Sequence, residues 1–131
     1  MTHEIVNSPD LADPVGFSHA VVSSGRTVHL GGQTAQGRDG AIIGTTMLEQ
    51  FDVAAGNVIT ALTAAGGNAE HLVSLIIYVT DVAAYKAALR ELGGVWRKHF
   101  GKHYPAVALL GVKELFDAEA MVELVATAVL P

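Results

Sequence analysis

Residues 72–81 read Leu72-Val73-Ser74-Leu75-Ile76-Ile77-Tyr78-Val79-Thr80-Asp81, and this stretch decides the fold class. Val73, Leu75, Ile77 and Val79 alternate, as one face of a strand requires. Ile76 and Tyr78 fill the other face. The strand predicted over Leu72–Thr80 is therefore apolar on both sides, the pattern of a strand buried on both faces. Asp81 stands where a helix would begin, and its carboxylate can accept from the unpaired N–H groups of a first turn. Beyond it, Val82, Tyr85, Leu89, Leu92, Trp96 and Phe100 form one apolar stripe at helical spacing. Gly93-Gly94 interrupts the stripe. An interior glycine costs about 1 kcal/mol relative to alanine, so a kink or break is expected there.

Upstream, Thr46–Ala65 reads as a helix. Thr46 and Glu49 make a T-x-x-E capping box, and Leu48, Phe51, Ala55, Val58, Ile59 and Leu62 share one face. Gly66-Gly67-Asn68 supplies residues suited to a helix end. Further upstream, His19–Ser24 and Thr27–Gly31 are β-prone runs separated by Gly25-Arg26, which predicts a hairpin. A glycine-rich loop follows, from Gly31 to Gly44. Downstream, strands are expected at Ala106–Val112 and Ala120–Leu130. The order is β-β-α-β-α-β-β. Two helices packed on one mixed β-sheet bury both helical stripes, so the fold class is α+β. No linker, repeat or low-complexity block divides the chain, and its 131 residues fit one domain, 1–131.

Half the residues are hydrophobic and only 16% are charged. That is apolar for so short a chain. The excess implies a subunit interface, because large exposed apolar patches mark contact sites. The net charge is −5, with no basic stripe of the kind that neutralises phosphates, so nucleic-acid binding is not expected. Arg97, Lys98 and Lys102, with His99 and His103, form the densest basic group, and a solvated helix face accounts for them. There are no cysteines, which excludes disulfides, thiolate nucleophiles and cysteine-based zinc sites. Met1–Pro14 has no apolar h-region, and no run approaches the ~18 apolar residues of a membrane span. A cytoplasmic location with no membrane partner is expected.

One residue fits a plain core poorly. Along Ala120–Leu130, Met121, Glu123, Val125, Thr127 and Val129 share a face, and Val122, Leu124, Ala126 and Ala128 share the other. Both faces are mainly apolar, so Glu123 sits among apolar neighbours. A buried carboxylate must be paired, hydrogen-bonded or protonated. Either it is a structural glutamate bonded to backbone or a basic side chain, or it handles protons at a site. His99 and His103 are four apart, as a metal pair on a helix would be. Gly101 and Tyr104-Pro105 end the helix between or after them, so no metal site is expected. His19 is a lone strand histidine with a structural reading. Ser18 and His19 point to opposite faces of a strand and make no nucleophile–base pair. No phosphate-binding glycine motif or nucleophile elbow is present.

These landmarks fall in the order of a known family. Val15-Gly16-Phe17-Ser18-His19-Ala20 resembles a G-P-Y-S-x-A signature, and Leu30-Gly31-Gly32-Gln33 resembles a T-S-G-Q turn. Ser74–Asp81 resembles K-x-T-V-F-L-x-D. Tyr104-Pro105-Ala106 resembles the start of P-A-R-[ST], and Val122-Glu123-Leu124-Val125-Ala126 resembles V-E-I-E-A. On this set the chain is similar to the RidA/YjgF (L-PSP endoribonuclease-like) family. The resemblance implies a chorismate-mutase-like subunit in a homotrimer, with sheets packed inward as a barrel and clefts between subunits. It implies hydrolytic deamination of reactive enamines and imines, with no cofactor.

Carried over by position, Glu123 is the glutamate that positions or activates water, and Gly32 is the turn glycine. Phe17 replaces a tyrosine. Val107 replaces the arginine that grips a substrate carboxylate, and no apolar side chain can make that bidentate grip. Val107, Ala108 and Leu109 instead suggest a greasy pocket wall. Arg26, Arg97 or Lys98 could supply a charge from elsewhere. The second helix is also a few residues longer than the family pattern, near Leu92–Val95. The implied activity is thus deamination with altered specificity, and the alternative is a non-catalytic trimer that binds a small ligand. A ribonuclease role, also attached to the family, finds no basic groove here.

Overall fold

The computed structural model describes residues 3–131. Three short strands come first: β1 (Glu4–Val6), β2 (Ala20–Val22) and β3 (Arg26–His29). Helix α1 (Met47–Ala64) leads through a 3-10 turn at Ala69–His71 into β4 (Leu72–Val79). Helices α2 (Val82–Ala87) and α3 (Leu89–Phe100) follow, and β5 (Ala106–Gly111) and β6 (Val122–Leu130) end the chain. The main sheet has the order β3-β6-β4-β5. It is mixed, because β4 and β5 run parallel while the other pairs are antiparallel. The α+β class and mixed sheet expected from the sequence are present.

The helix starts follow their residue types. Thr46 caps α1 through a capping box in which its side chain accepts from the Glu49 N–H and the Glu49 carboxylate accepts from the Thr46 N–H. The Asp81 side chain accepts from the Ala84 N–H and caps α2. The second helix breaks at Ala88, not at Gly93-Gly94. Both glycines lie inside α3. Burial of Leu92, Trp96 and Phe100 along one stripe outweighs the glycine cost, which tertiary packing routinely overrides. The Lys86-Ala87-Ala88-Leu89 run contains no helix breaker that would mark the actual break.

The expected hairpin of His19–Ser24 with Thr27–Gly31 does not form. β2 pairs with β1, a strand absent from the sequence reading. β3 pairs with β6 instead, in the register Arg26↔Leu130 through His29↔Thr127. Gly25 redirects the chain. It has φ 138° and lies so close to β6 that a Cβ there would overlap the Leu130 carbonyl oxygen. Pairing with β6 places Val28 against the core, which a two-stranded hairpin could not do. Past His29 the pairing resumes at Gln33↔Leu124. Between these pairs, residues 30–32 oppose residues 125–126, so β3 carries one extra residue. Gly31-Gly32 accommodates this bulge.

α1, α2 and α3 cover one face of the sheet. Leu75, Ile77, Val79, Val122, Leu124, Ala126 and Ala128 point into this core and are at most 1% exposed. Gln50 is buried with them. Its amide donates to the Gly44 and Glu119 carbonyls at 3.2 and 2.9 Å, and its Oε1 accepts from the Met121 N–H at 2.8 Å. One glutamine therefore ties the loop before α1 and the β5–β6 loop to the core, satisfying all its polar atoms. The other face of the sheet behaves differently. Ser74, Ile76, Tyr78, Glu123, Val125 and Thr127 are half-buried, and Ala108 and Leu110 are exposed. The double-sided burial expected of β4 and β6 is thus met on one face only within a single chain.

Candidate functional site

Two groups of site residues emerge, on opposite faces of the sheet. On the helix side, β5 leaves Val107 and Leu109 packed against the core margin. Beside them opens a cavity of about 590 Å³, within the ~300–1,000 Å³ typical of small-molecule sites. Phe17, Tyr85, Leu89, Trp96, Val107 and Leu109 are among its walls, and no lining residue is Lys, Arg, Asp, Glu or His. Gly93 also lines it, and a Cβ there would meet nothing within 4 Å. The cavity therefore owes part of its width to a missing side chain on α3.

Aromatic packing fixes the cavity walls. The Trp96 ring stacks on Tyr104 at 5.9 Å with 6° between planes, and its indole N–H donates to the His103 carbonyl at 3.1 Å. Tyr85 meets Phe51 edge-on at 6.3 Å. Burial in these apolar surroundings pushes the Tyr85 hydroxyl above its ordinary pKa of 10.0, so it is a neutral phenol at any ordinary pH. Tyr85, Leu89 and Trp96 are residues that periodicity assigned to a core stripe. Trp96 is buried as expected and Tyr85 is half-buried, whereas Leu89 is exposed at the cavity rim.

On the open face, Glu123 stands on β6, a central strand, directly opposite Tyr78 of β4. It makes no hydrogen bond or ion pair among the described residues. The bulge brings Gly32 against it: a Cβ on Gly32 would collide with Glu123 Oε2, Cδ and Cγ. Gly32 and Glu123 are thus together, and Phe17, Val107 and Leu109 are together, but the two sets are separated by the sheet. Ala108 projects with the open face, next to Leu110, and does not line the cavity.

The remaining candidates have structural partners. His19 accepts from the Ser8 N–H through Nδ1 at 3.0 Å and donates to the Ala12 carbonyl through Nε2 at 2.8 Å, pinning the segment before β2. The Ser18 hydroxyl donates to the Tyr104 carbonyl. His103 donates through Nε2 to the Leu72 carbonyl at 2.7 Å. His99 Nε2 lies 2.6 Å from Asp52 Oδ1, and Lys98 pairs with the same carboxylate at 3.1 Å. Among the described residues no group of three or more His, Cys, Asp and Glu could hold a metal. Arg26, Arg97 and Lys98 do not line the cavity. A smaller cavity of about 420 Å³ lies elsewhere and is bordered by His3, Glu70, Lys102 and His103. No described helix is long and apolar enough to cross a membrane.

The endoribonuclease L-PSP family model matches residues 9–130. The chain belongs to this family. It is the RidA/YjgF family of the motif resemblance, and solved structures agree. A protein of unknown function of the conserved Rid family, YyfB from Yersinia pestis, is 32% identical with a TM-score of 0.87, over 99% of this chain and 100% of that one. A member of the YjgF/YER057c/UK114 family from Mycobacterium tuberculosis is 28% identical with a TM-score of 0.66, over 98% and 99%. A protein of unknown function from Pseudomonas aeruginosa is 29% identical with a TM-score of 0.65, over 99% and 92%. No curated protein sequence matches the chain.

Proposed function

We propose that this Rid-family chain acts on a neutral, largely apolar small molecule held in the cavity beside Val107. The reaction is hydrolytic deamination of an imine, or of an enamine once a proton moves from its nitrogen to its β-carbon to give the imine: water adds across the carbon–nitrogen double bond, and the adduct collapses to a carbonyl compound and one ammonia. The observation that carries this reading is the cavity wall itself. Where the family pattern has a carboxylate-gripping arginine, Val107 stands beside Leu109 and Phe17, and no charged residue lines the space. A carboxylate transferred there would lose its hydration without gaining a charged partner, and one phenol hydroxyl does not offset that loss.

Glu123 is the group proposed to handle protons. It lies on the opposite sheet face from Val107 within one chain, so a site using both needs two chains. A homotrimer with its open sheet faces packed together would cover Ile76, Tyr78, Val125 and Leu110, and it would supply that arrangement only at the sheet edge, where β5 carries Val107 to the boundary with a neighbouring chain. The cleft would then pair one subunit's cavity with Glu123 of the partner subunit. The same separation favours a second reading: the cavity has no titratable group besides tyrosines, so a trimer that only binds its ligand is the alternative.

Ammonia release from freshly generated imines tests these readings. One imine carries a carboxylate and one is neutral. Turnover of the neutral imine alone is expected. Efficient turnover of the carboxylated imine would overturn the neutral-ligand assignment. Binding without turnover of either selects the non-catalytic reading.

A further inference from the structure

We infer that Tyr85 is the specificity-determining hydrogen-bond donor of the apolar cavity, and that the ligand carries a neutral acceptor, a carbonyl oxygen or imine nitrogen, to meet it. This rests on the cavity being the ligand site, as proposed above. Tyr85 is half-buried on α2 and lines the cavity. Its ring is braced edge-on by Phe51. Its hydroxyl has no hydrogen-bond partner among the described residues, and it is not among the sealed polar atoms, of which His3 Nδ1 is the one found. An accessible phenol bonds to solvent while the cavity is empty, and a ligand that displaces that solvent must supply an acceptor, because burying the hydroxyl unpaired costs free energy.

The chemistry of this donor defines the ligand. A phenol carries no charge, so it cannot replace an arginine toward a carboxylate. It can bind a single neutral acceptor, and desolvation keeps it protonated for that role. The Trp96 indole N–H is already committed to the His103 carbonyl and does not compete. Val107, Leu109 and Leu89 offer contacts only to hydrocarbon. The fitting ligand is therefore an apolar or aromatic body with one neutral acceptor, such as an aryl ketone or its imine.

The test uses acetophenone and its isostere α-methylstyrene, in which a methylene group replaces the carbonyl oxygen. Dissociation constants are measured by ligand-observed NMR on the full chain, wild type and Tyr85→Phe. Wild type is expected to prefer acetophenone by roughly five- to tenfold, the worth of one net hydrogen bond. Tyr85→Phe should abolish that preference or reverse it, because the ketone oxygen is then buried without a partner. Lost packing would weaken both ligands together and leave their ratio unchanged, so the ratio separates a donor from a spacer. An unchanged ratio in Tyr85→Phe, or a loss of preference in Tyr104→Phe instead, would overturn the assignment while leaving the apolar site intact. Failure of both ligands to bind wild type would overturn the site itself.

Discussion

Gly32 lies against the carboxyl group of Glu123, so closely that a methyl group on Gly32 would occupy the position of Oε2. The bulge in β3 creates this approach, and only a residue without a side chain allows it. The obstructing atoms are the far end of a flexible side chain. In Gly32→Ala the carboxyl should therefore swing away at a stability cost below about 1 kcal/mol. If Glu123 handles protons, turnover falls with little change in melting temperature. Glu123→Gln should remove about 10²-fold or more of any turnover with the assembly intact by size-exclusion chromatography. Full activity in Glu123→Gln ends the catalytic role.

Two other glycines should respond in opposite directions. Gly25 combines φ 138° with a backbone clash, since its Cβ would overlap the Leu130 carbonyl. Gly25→Ala should cost about 2 kcal/mol or more, as both strain and collision are imposed. Gly94 is exposed inside α3, and a Cβ there meets nothing within 4 Å. Gly94→Ala should stabilise by about 0.5–1 kcal/mol through helix propensity. Urea unfolding of both variants checks the signs. A destabilised Gly94→Ala would mean that α3 is covered there in the assembly.

The Asp52 carboxyl sits below its ordinary pKa of 3.8, chiefly because His99 bonds to it at 2.6 Å, with Lys98 adding to the effect. A depressed carboxylate contributes stability that is present above its unfolded pKa and is lost as pH falls through its lower folded pKa. Asp52 is 37% exposed, so solvent screens much of this contribution. The expected result is an acid limb with a shallower slope below about pH 4 in Asp52→Asn than in wild type. Thermal melts across that range measure it. Identical limbs would show that the Asp52–His99 contact adds nothing to stability.

The strand, helix and cap residues show how much was legible. Thr46, Glu49 and Asp81 marked helix starts because capping is local chemistry. The alternation in Leu72–Val79 and the run through Glu123 marked β4 and β6. Gly25 misled, because a Gly-Arg pair between β-prone runs looks like a hairpin turn, while the actual partner of β3 is about a hundred residues away. Non-local pairing leaves no trace in a short window. The site was legible in its residue types and not in its geometry. Period-two reasoning already places Val107 and Ala108 on opposite faces of a strand. It does not reveal that β5 meets β4 in the register that puts Val107 beside Leu75. Nor could Tyr85 and Trp96 be separated from the core stripe they share with Leu92.

Val107→Arg tests the cavity most directly. The new guanidinium would stand beside Leu109 and Ile77 with no acidic residue among the cavity walls. An unpaired charge in such surroundings is costly, and part of the cost is relieved if the side chain reaches out through the mouth. A loss of about 1–3 kcal/mol is expected. The variant should also gain a ligand class that wild type lacks. Benzoate would pair with the guanidinium and raise the melting temperature of Val107→Arg by mass action, while leaving wild type unchanged. Acetophenone should show the reverse preference. If benzoate stabilises wild type as strongly as it does the variant, another cation already serves the cavity, and the neutral-ligand reading of Val107 fails.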